Sequence, residues 1–273
     1  MRRLETNNLS VRVGGKVLLH PTSLSFTNGC LAAVVGPNGA GKSTFVKALL
    51  GLTTHTGDVL LDDVPLAAFA PKDRAKAVAY LPQGQSHAWP LPVSQIVGLG
   101  RFPHGNPHGY RSGKSRGMDW PHTDDIVQQV ISRMGLADLR DQSVLTLSGG
   151  EQMRVAMARA LAVEADFLLA DEPLASLDPR HQFAMMDILR SEARCDHGVV
   201  VVVHDLRLAA LYADRIIMLN EGQVVADGHA EDVLTTENVA SVFDVATQVE
   251  TIERADDKCV TVALPTRSLS VSH

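Results

Sequence analysis

At 273 residues, with 45% hydrophobic side chains, the chain is long enough for one large or two modest domains with a proper core, which excludes a disordered polypeptide. A formal net charge of −6, with 25 Lys and Arg scattered along the chain, speaks against nucleic acid as a partner and supplies no polybasic membrane anchor. Cys30, Cys195 and Cys259 form no CxxC pair, as in a reducing compartment, and no apolar run reaches about 18 residues, so any membrane role needs a partner.

In chain order, "LSVRV" and "TSLSF" read as short strands, and "LAAVVG" as a buried strand running into "GPNGAGKST" (Gly36 to Thr44) and the helix "KSTFVKALLGL". Gly36, Gly41, Lys42 and Ser43 fill the pattern G-x-x-x-x-G-K-[ST], with Pro37, Asn38, Gly39, Ala40 and Thr44 completing the loop. Glycines let a backbone wrap phosphates, the lysine neutralises them, and the serine hydroxyl suits a metal ion. A glycine turn that only caps a helix is the alternative, and the buried strand before the loop speaks against it.

"TGDVLLDDVPL" and "AVAYLPQ" add strands, the second ending at Gln83, whose amide could reach a metal ion and a water. Pro90 and Pro92 break this pattern. From about Leu91 to Ala162 apolar residues recur at helical spacing, as in "VSQIVGLG" and "DIVQQVISRMGLADL", around a polar glycine-rich loop. His87, His104, His108 and His122 show no ligand spacing and are expected to be solvated. "LTLSGGEQMRVAMARAL" then presents a second glycine-led helix start: Ser148 suits an N-cap, Gly149 and Gly150 permit close approach, and the helix end favours an anion.

"DFLLADE" and "GVVVVVHD" are nearly continuous apolar runs, as in parallel strands covered on both faces, with a helix between them. Asp171 and Glu172 fall at the carboxyl edge of the first and His204 at that of the second, where such sheets bind ligands. Alone, the pair could be an acidic helix start and the histidine structural. Beside a phosphate loop, one carboxylate can hold Mg²⁺ while the other orients or deprotonates a water. "RIIMLNEGQVVADG" reads as a hairpin turning at Asn220 to Gly222, "AEDVLTTENVASVF" as helical, and beyond Val245 some alternation continues without an assigned role.

The ordered set "GPNGAGKST", "YLPQ", "LSGGE", "FLLADEP", "SLD" and "VVVVH", within about Leu4 to Val245, resembles the nucleotide-binding subunit of an ABC transporter. The resemblance implies an α/β P-loop NTPase fold with a parallel-sheet core, an N-terminal antiparallel β portion and a helical subdomain. On that pattern residues 1–245 form the ATPase domain, with the helical subdomain inserted at about 91–162, and 246–273 form a tail. ATP and Mg²⁺ are the implied cofactors, with Gly36 to Thr44 on the nucleotide. Ser43, Gln83 and Asp171 serve the metal, partly through water, and Glu172, His204 and Gln83 are the implied catalytic groups.

The resemblance also implies a head-to-tail homodimer bridged by ATP, in which Ser148, Gly149, Gly150, Glu151 and Asp178 of one chain meet the ATP held by the other. That arrangement gives the second helix start its anion. Polytopic permease subunits and, indirectly, a substrate-binding protein are the implied partners, which places the chain at the cytoplasmic face of the cell membrane. Two positions depart from the family pattern: Val13 stands where an aromatic ring would face the adenine, with a substitute role for Arg12 or a loose base selectivity as the alternatives, and Leu174 stands where threonine is common.

Short stretches, "VGLGRFPHG", "SLDPRHQ" and "GQVVADGHAEDVLTTENVASVFDV", most resemble ATPases of importers for iron siderophores, haem and vitamin B12. Zinc or manganese importers, and a soluble ABC switch protein, are the alternatives. Trp89 and Phe102 are expected either to anchor a permease or to fill the small subdomain's core.

Overall fold

The computed structural model describes residues 1–84, 89–105, 125–175, 177–253 and 259–268. Strands β1 (Arg3–Val13), β2 (Lys16–Thr22) and β3 (Ser25–Thr27) precede β4 (Leu31–Val35), which enters the glycine loop and helix α1 (Lys42–Leu49). Next come β5 (Thr56–Leu61), β6 (Val64–Pro65), α2 (Pro71–Ala77) and β7 (Val78–Leu81). Helices α3 (Val93–Gly98), α4 (Asp125–Arg133) and α5 (Gly149–Leu161) make up the described helical part. The chain then alternates through β8 (Phe167–Asp171), α6 (Pro179–Arg194), β9 (Gly198–Val202), α7 (Leu206–Tyr212) and β10 (Arg215–Asn220). It ends with β11 (Gln223–Gly228), α8 (Ala230–Val233), α9 (Thr236–Phe243), β12 (Val245–Glu253) and β13 (Cys259–Ser268).

The main sheet runs β11-β10-β4-β9-β8-β7, parallel from β10 to β7 with β11 antiparallel at one edge. Every residue of β4, β8 and β9 is buried, which is why their sequences show no polar alternation. Within β4, Leu31, Ala33 and Val35 face the core shared with α3 to α7, while Ala32 and Val34 face α1 and the N-terminal sheet. That second sheet is antiparallel, β2-β1-β5-β6, with β3 also paired to β1.

Several elements differ from the expected ones. Strand β1 starts at Arg3, six residues before "LSVRV", and "TSLSF" divides between the end of β2 and β3. "AEDVLTTENVASVF" is broken by Thr235, whose hydroxyl accepts from Asn238 N (3.2 Å) and so caps α9 instead of continuing α8. The residues after Val245 pair as an antiparallel hairpin, and Ile252, Val260, Val262 and Leu264 join the larger core.

The helical part is tied to the main sheet's layer by one buried carboxylate. Glu192 of α6 is 6% exposed and pairs with Arg133 of α4 and with His197 Nδ1 (2.9 Å). Burial raises its pKa, but the His197 hydrogen bond and Arg133 outweigh burial and hold it below the ordinary 4.5. The same bond, against opposing burial, holds His197 above 6.5. Stability from Glu192 is therefore present above pH 4.5 and lost as pH falls through its folded value, whereas that from His197 is full below pH 6.5 and lost as pH rises through its folded value. In urea titrations, Glu192→Gln should cost about 2 kcal/mol between those limits, with the difference from wild type narrowing on either side. A pH-independent difference would mean that packing, not the ionic contact, is what Glu192 contributes.

Candidate nucleotide site

The loop leaving β4 is held where side chains do not fit. A Cβ on Gly36 (φ 150°) would lie 2.1 Å from Leu219 O, and one on Gly41 (φ 98°) would lie 2.8 Å from Leu18 O. The loop is thus wedged between β10 and β2, and Gly222 N donates to Ala40 O (2.9 Å) to close the contact. Lys42 is 4% exposed, its ammonium donating to Gly36 O (2.8 Å) and Pro37 O (2.9 Å). Burial lowers its pKa, and the charges of Glu172 and Asp171 oppose that shift.

Above the loop lies a cavity of about 710 Å³, bordered by Asn38, Gly39, Gly41, Lys42, Ser43 and Thr44. Gln83 and Glu172 close one side, and Lys16, Val17, Leu18, Glu221 and Gly222 the other. This second wall was not anticipated, because β2 and the β10–β11 turn reach the loop only through sheet packing. Only the turn signal at Asn220 to Gly222 hinted at it. Val13 is 58% exposed, Arg12 is exposed too, and neither borders the cavity; the residues of β2 that border it are Lys16, Val17 and Leu18.

Three adjacent strands, β7, β8 and β9, deliver the polar groups to one sheet edge. Asp171, 1% exposed at the end of β8, accepts from Ser43 Oγ at Oδ1 (3.0 Å), and its Oδ2 is buried without a hydrogen-bond partner. Burial raises the Asp171 pKa against the Ser43 bond. Glu172 follows with φ 52°, a left-handed conformation that costs a non-glycine residue of order 1 kcal/mol or more. Its carboxylate accepts from Gln83 Nε2 (2.6 Å) and meets His204 Nε2 (2.7 Å). Tyr80, in β7, has a phenol that burial first and the Asp171 carboxylate second push up to about 12.

These donors fit the groups they were expected to hold. A buried carboxylate oxygen with no protein partner, a serine hydroxyl and a side-chain amide are hard oxygen ligands of the kind Mg²⁺ takes. The ammonium at the loop, together with the open space over Gly39, suits a polyphosphate.

The second helix start lies elsewhere. Ser148 and Glu151 form a reciprocal capping box on α5: Ser148 N donates to Glu151 Oε2 (2.8 Å) and Ser148 Oγ accepts from Glu151 N (3.3 Å). None of Ser148 to Glu151 borders the cavity. Asp178 caps α6 by accepting from His181 N (2.9 Å), and Ser176 beside it lies outside the described residues. Leu174 is buried with the larger core, so its replacement of threonine is a packing choice. His104 Nε2 pairs with Val163 O (2.6 Å), while His87, His108 and His122 lie outside the described residues. Among the described residues no three His, Cys, Asp or Glu gather as a metal cluster.

A phosphate loop under a parallel sheet, with an acidic pair at the neighbouring strand's end, defines a P-loop nucleoside triphosphatase. The chain belongs to the ABC transporter family, whose model matches residues 19–175. It carries that family's ATP-binding domain and is an ATPase that energises transport. A hemin import ATP-binding protein of Pseudomonas fluorescens is 39% identical over 254 residues, covering 91% of this chain and 95% of that relative. A cobalamin import ATP-binding protein of Halobacterium salinarum is 36% identical over 267 residues, covering 97% of this chain and 64% of that relative. In fold, the chain superposes with a TM-score of 0.78 and 24% identity on an inward-facing ABC transporter assigned to the metal-chelate type, covering 97% of each. Import ATP-binding subunits work with membrane permease components, and no helix among the described residues is long and apolar enough to cross a membrane itself.

Proposed function

We propose that the chain is the ATP-hydrolysing subunit of an importer for metal chelates: haem, an iron siderophore or cobalamin. The observation that carries the chemistry is the convergence of Gln83 and His204 on Glu172, beside Asp171 and Ser43, at the rim of the Lys42 cavity. Lys42 and the loop N–H groups bind the phosphates. Ser43, Asp171 and Gln83 would hold Mg²⁺, partly through water, and the ion would supply charge neutralisation at the transferred phosphate. Glu172 accepts the proton of the attacking water, and Gln83 and His204 keep its carboxylate turned toward that water.

Completion of the site needs a second copy. Ser148, Gly149, Gly150, Glu151 and Asp178 stand away from their own cavity, and helix geometry leaves the first-turn N–H groups of Gly149 and Gly150 available to an anion. A head-to-tail homodimer presents them to the partner's ATP. Residues 1–245 act as the ATPase domain, with the helical subdomain at about 91–162. Trp89 and Phe102 are 72% and 60% exposed, which favours permease docking over a place in the small subdomain's core. The chain then sits peripherally at the cytoplasmic face, and a substrate-binding protein delivers cargo to the permease.

The cargo class rests on the hemin and cobalamin import relatives, since both ligands are metal-bearing macrocycles. The test is uptake by vesicles holding the permease, this chain and its binding protein. ATP-dependent accumulation of hemin, a ferric siderophore or cobalamin is expected. Uptake of free zinc or manganese alone would overturn the cargo, and co-purification with ribosomes or DNA instead of polytopic membrane proteins would overturn the transport role.

A further inference from the structure

Strand β7 carries a polar group that the chemistry above does not use. Strands β7 and β8 pair in parallel with Tyr80 opposite Leu169, so Asp171, two residues on, lies diagonally across on the same face. Diagonal neighbours of this kind are within reach of an aromatic side chain. Both side chains face α1: Tyr80 packs against the cluster that contains Phe45 and Leu49, and Asp171 meets Ser43. Tyr80 Oη and Asp171 Oδ2 are each buried and neither has a hydrogen-bond partner, so on this shared face each offers what the other lacks.

Resting on the ATP and Mg²⁺ reading of the site, we propose that Tyr80 is a positioning residue whose hydroxyl donates to Asp171 Oδ2 and fixes the rotation of that carboxylate. Ser43 holds Oδ1 and Tyr80 holds Oδ2, so the plane of the carboxylate is set from both sides. A carboxylate oxygen has two lone pairs, and the hydroxyl takes one while the other stays open to the metal's hydration shell. Phenylalanine would pack equally well here, so the hydroxyl's contribution is directional. Three residues further along the chain, Gln83 donates to Glu172, so β7 and the residues that follow it brace both members of the acidic pair.

The experiment compares wild type with Tyr80→Phe in the full chain. ATP affinity in EDTA, set by Lys42 and its loop, should be unchanged. The Mg²⁺ concentration that half-saturates the metal-dependent rise in ATP binding should increase roughly five- to ten-fold, the ratio expected for one buried hydrogen bond. The hydrolysis rate should recover largely at saturating Mg²⁺. A folded variant with an unshifted Mg²⁺ midpoint overturns the assignment. So does a variant that loses its fold or its metal-free ATP affinity, since the hydroxyl would then be merely structural. If wild type itself binds ATP without any Mg²⁺ dependence, the reading of the site fails and not the role of Tyr80 alone.

Discussion

Glu172→Gln should bind ATP as wild type does and hydrolyse it about 10²- to 10⁴-fold more slowly. Glutamine keeps the length of the side chain and one oxygen, so the hydrogen bond from Gln83 survives, and Asp171 with Ser43 is untouched. What is lost is the charge that, in the proposed mechanism, takes a proton from the attacking water. If ATP bridges two copies through Ser148 to Glu151, slow hydrolysis traps the bridge. The variant should then accumulate as a dimer in Mg²⁺ and ATP, while wild type returns to monomer as ATP is consumed. Light scattering over time reads this directly. Hydrolysis at the wild-type rate would remove Glu172 as the base, and an inactive variant that never dimerises would remove the shared site.

Lys42→Ala should have a comparably large effect by a different route. On the proposed site, the ammonium that would neutralise the phosphates is lost, which predicts a fall in ATP affinity of about 10²-fold and near-complete loss of turnover. Because Lys42 is buried and its ammonium ties Gly36 O to Pro37 O, the substitution should also loosen the empty loop. A lower melting temperature without nucleotide, with little recovery on adding ATP, is the expected signature. Calorimetric titration and thermal melting check both parts. Wild-type ATPase activity would sink the site assignment.

The strands that carry the chemistry were legible because burial on both faces leaves no room for polar residues: "FLLA" and "VVVVV" announce themselves, and the residue that ends such a run emerges at the sheet edge. The N-cap at Ser148 was legible too, because the serine stands directly before the helical run, whereas the reciprocal bond from Glu151 came only with the structure. Helix α2 escaped notice because only Ala77 of its seven residues is buried, which leaves no apolar face to read, although Pro71 at its start is a helix signal. Contacts across strands were illegible in principle. That Gln83, Glu172 and His204 meet depends on the order β7-β8-β9, and periodicity along one strand carries no information about its neighbours. Lys16 to Leu18 and Tyr80 were missed on the same ground.

The C-terminal hairpin bears on the order in which this molecule can be made. Ala263 N donates to Leu234 O (2.7 Å), and Val260, Val262 and Leu264 cover the same core that Val233, Leu234 and Val239 enter. Those covering residues leave the ribosome after the phosphate loop and both carboxylates. A nascent chain that already holds the phosphate loop and both carboxylates therefore still shows an apolar face along α7 to α9, which β12 and β13 together hide from other unfinished chains once they follow.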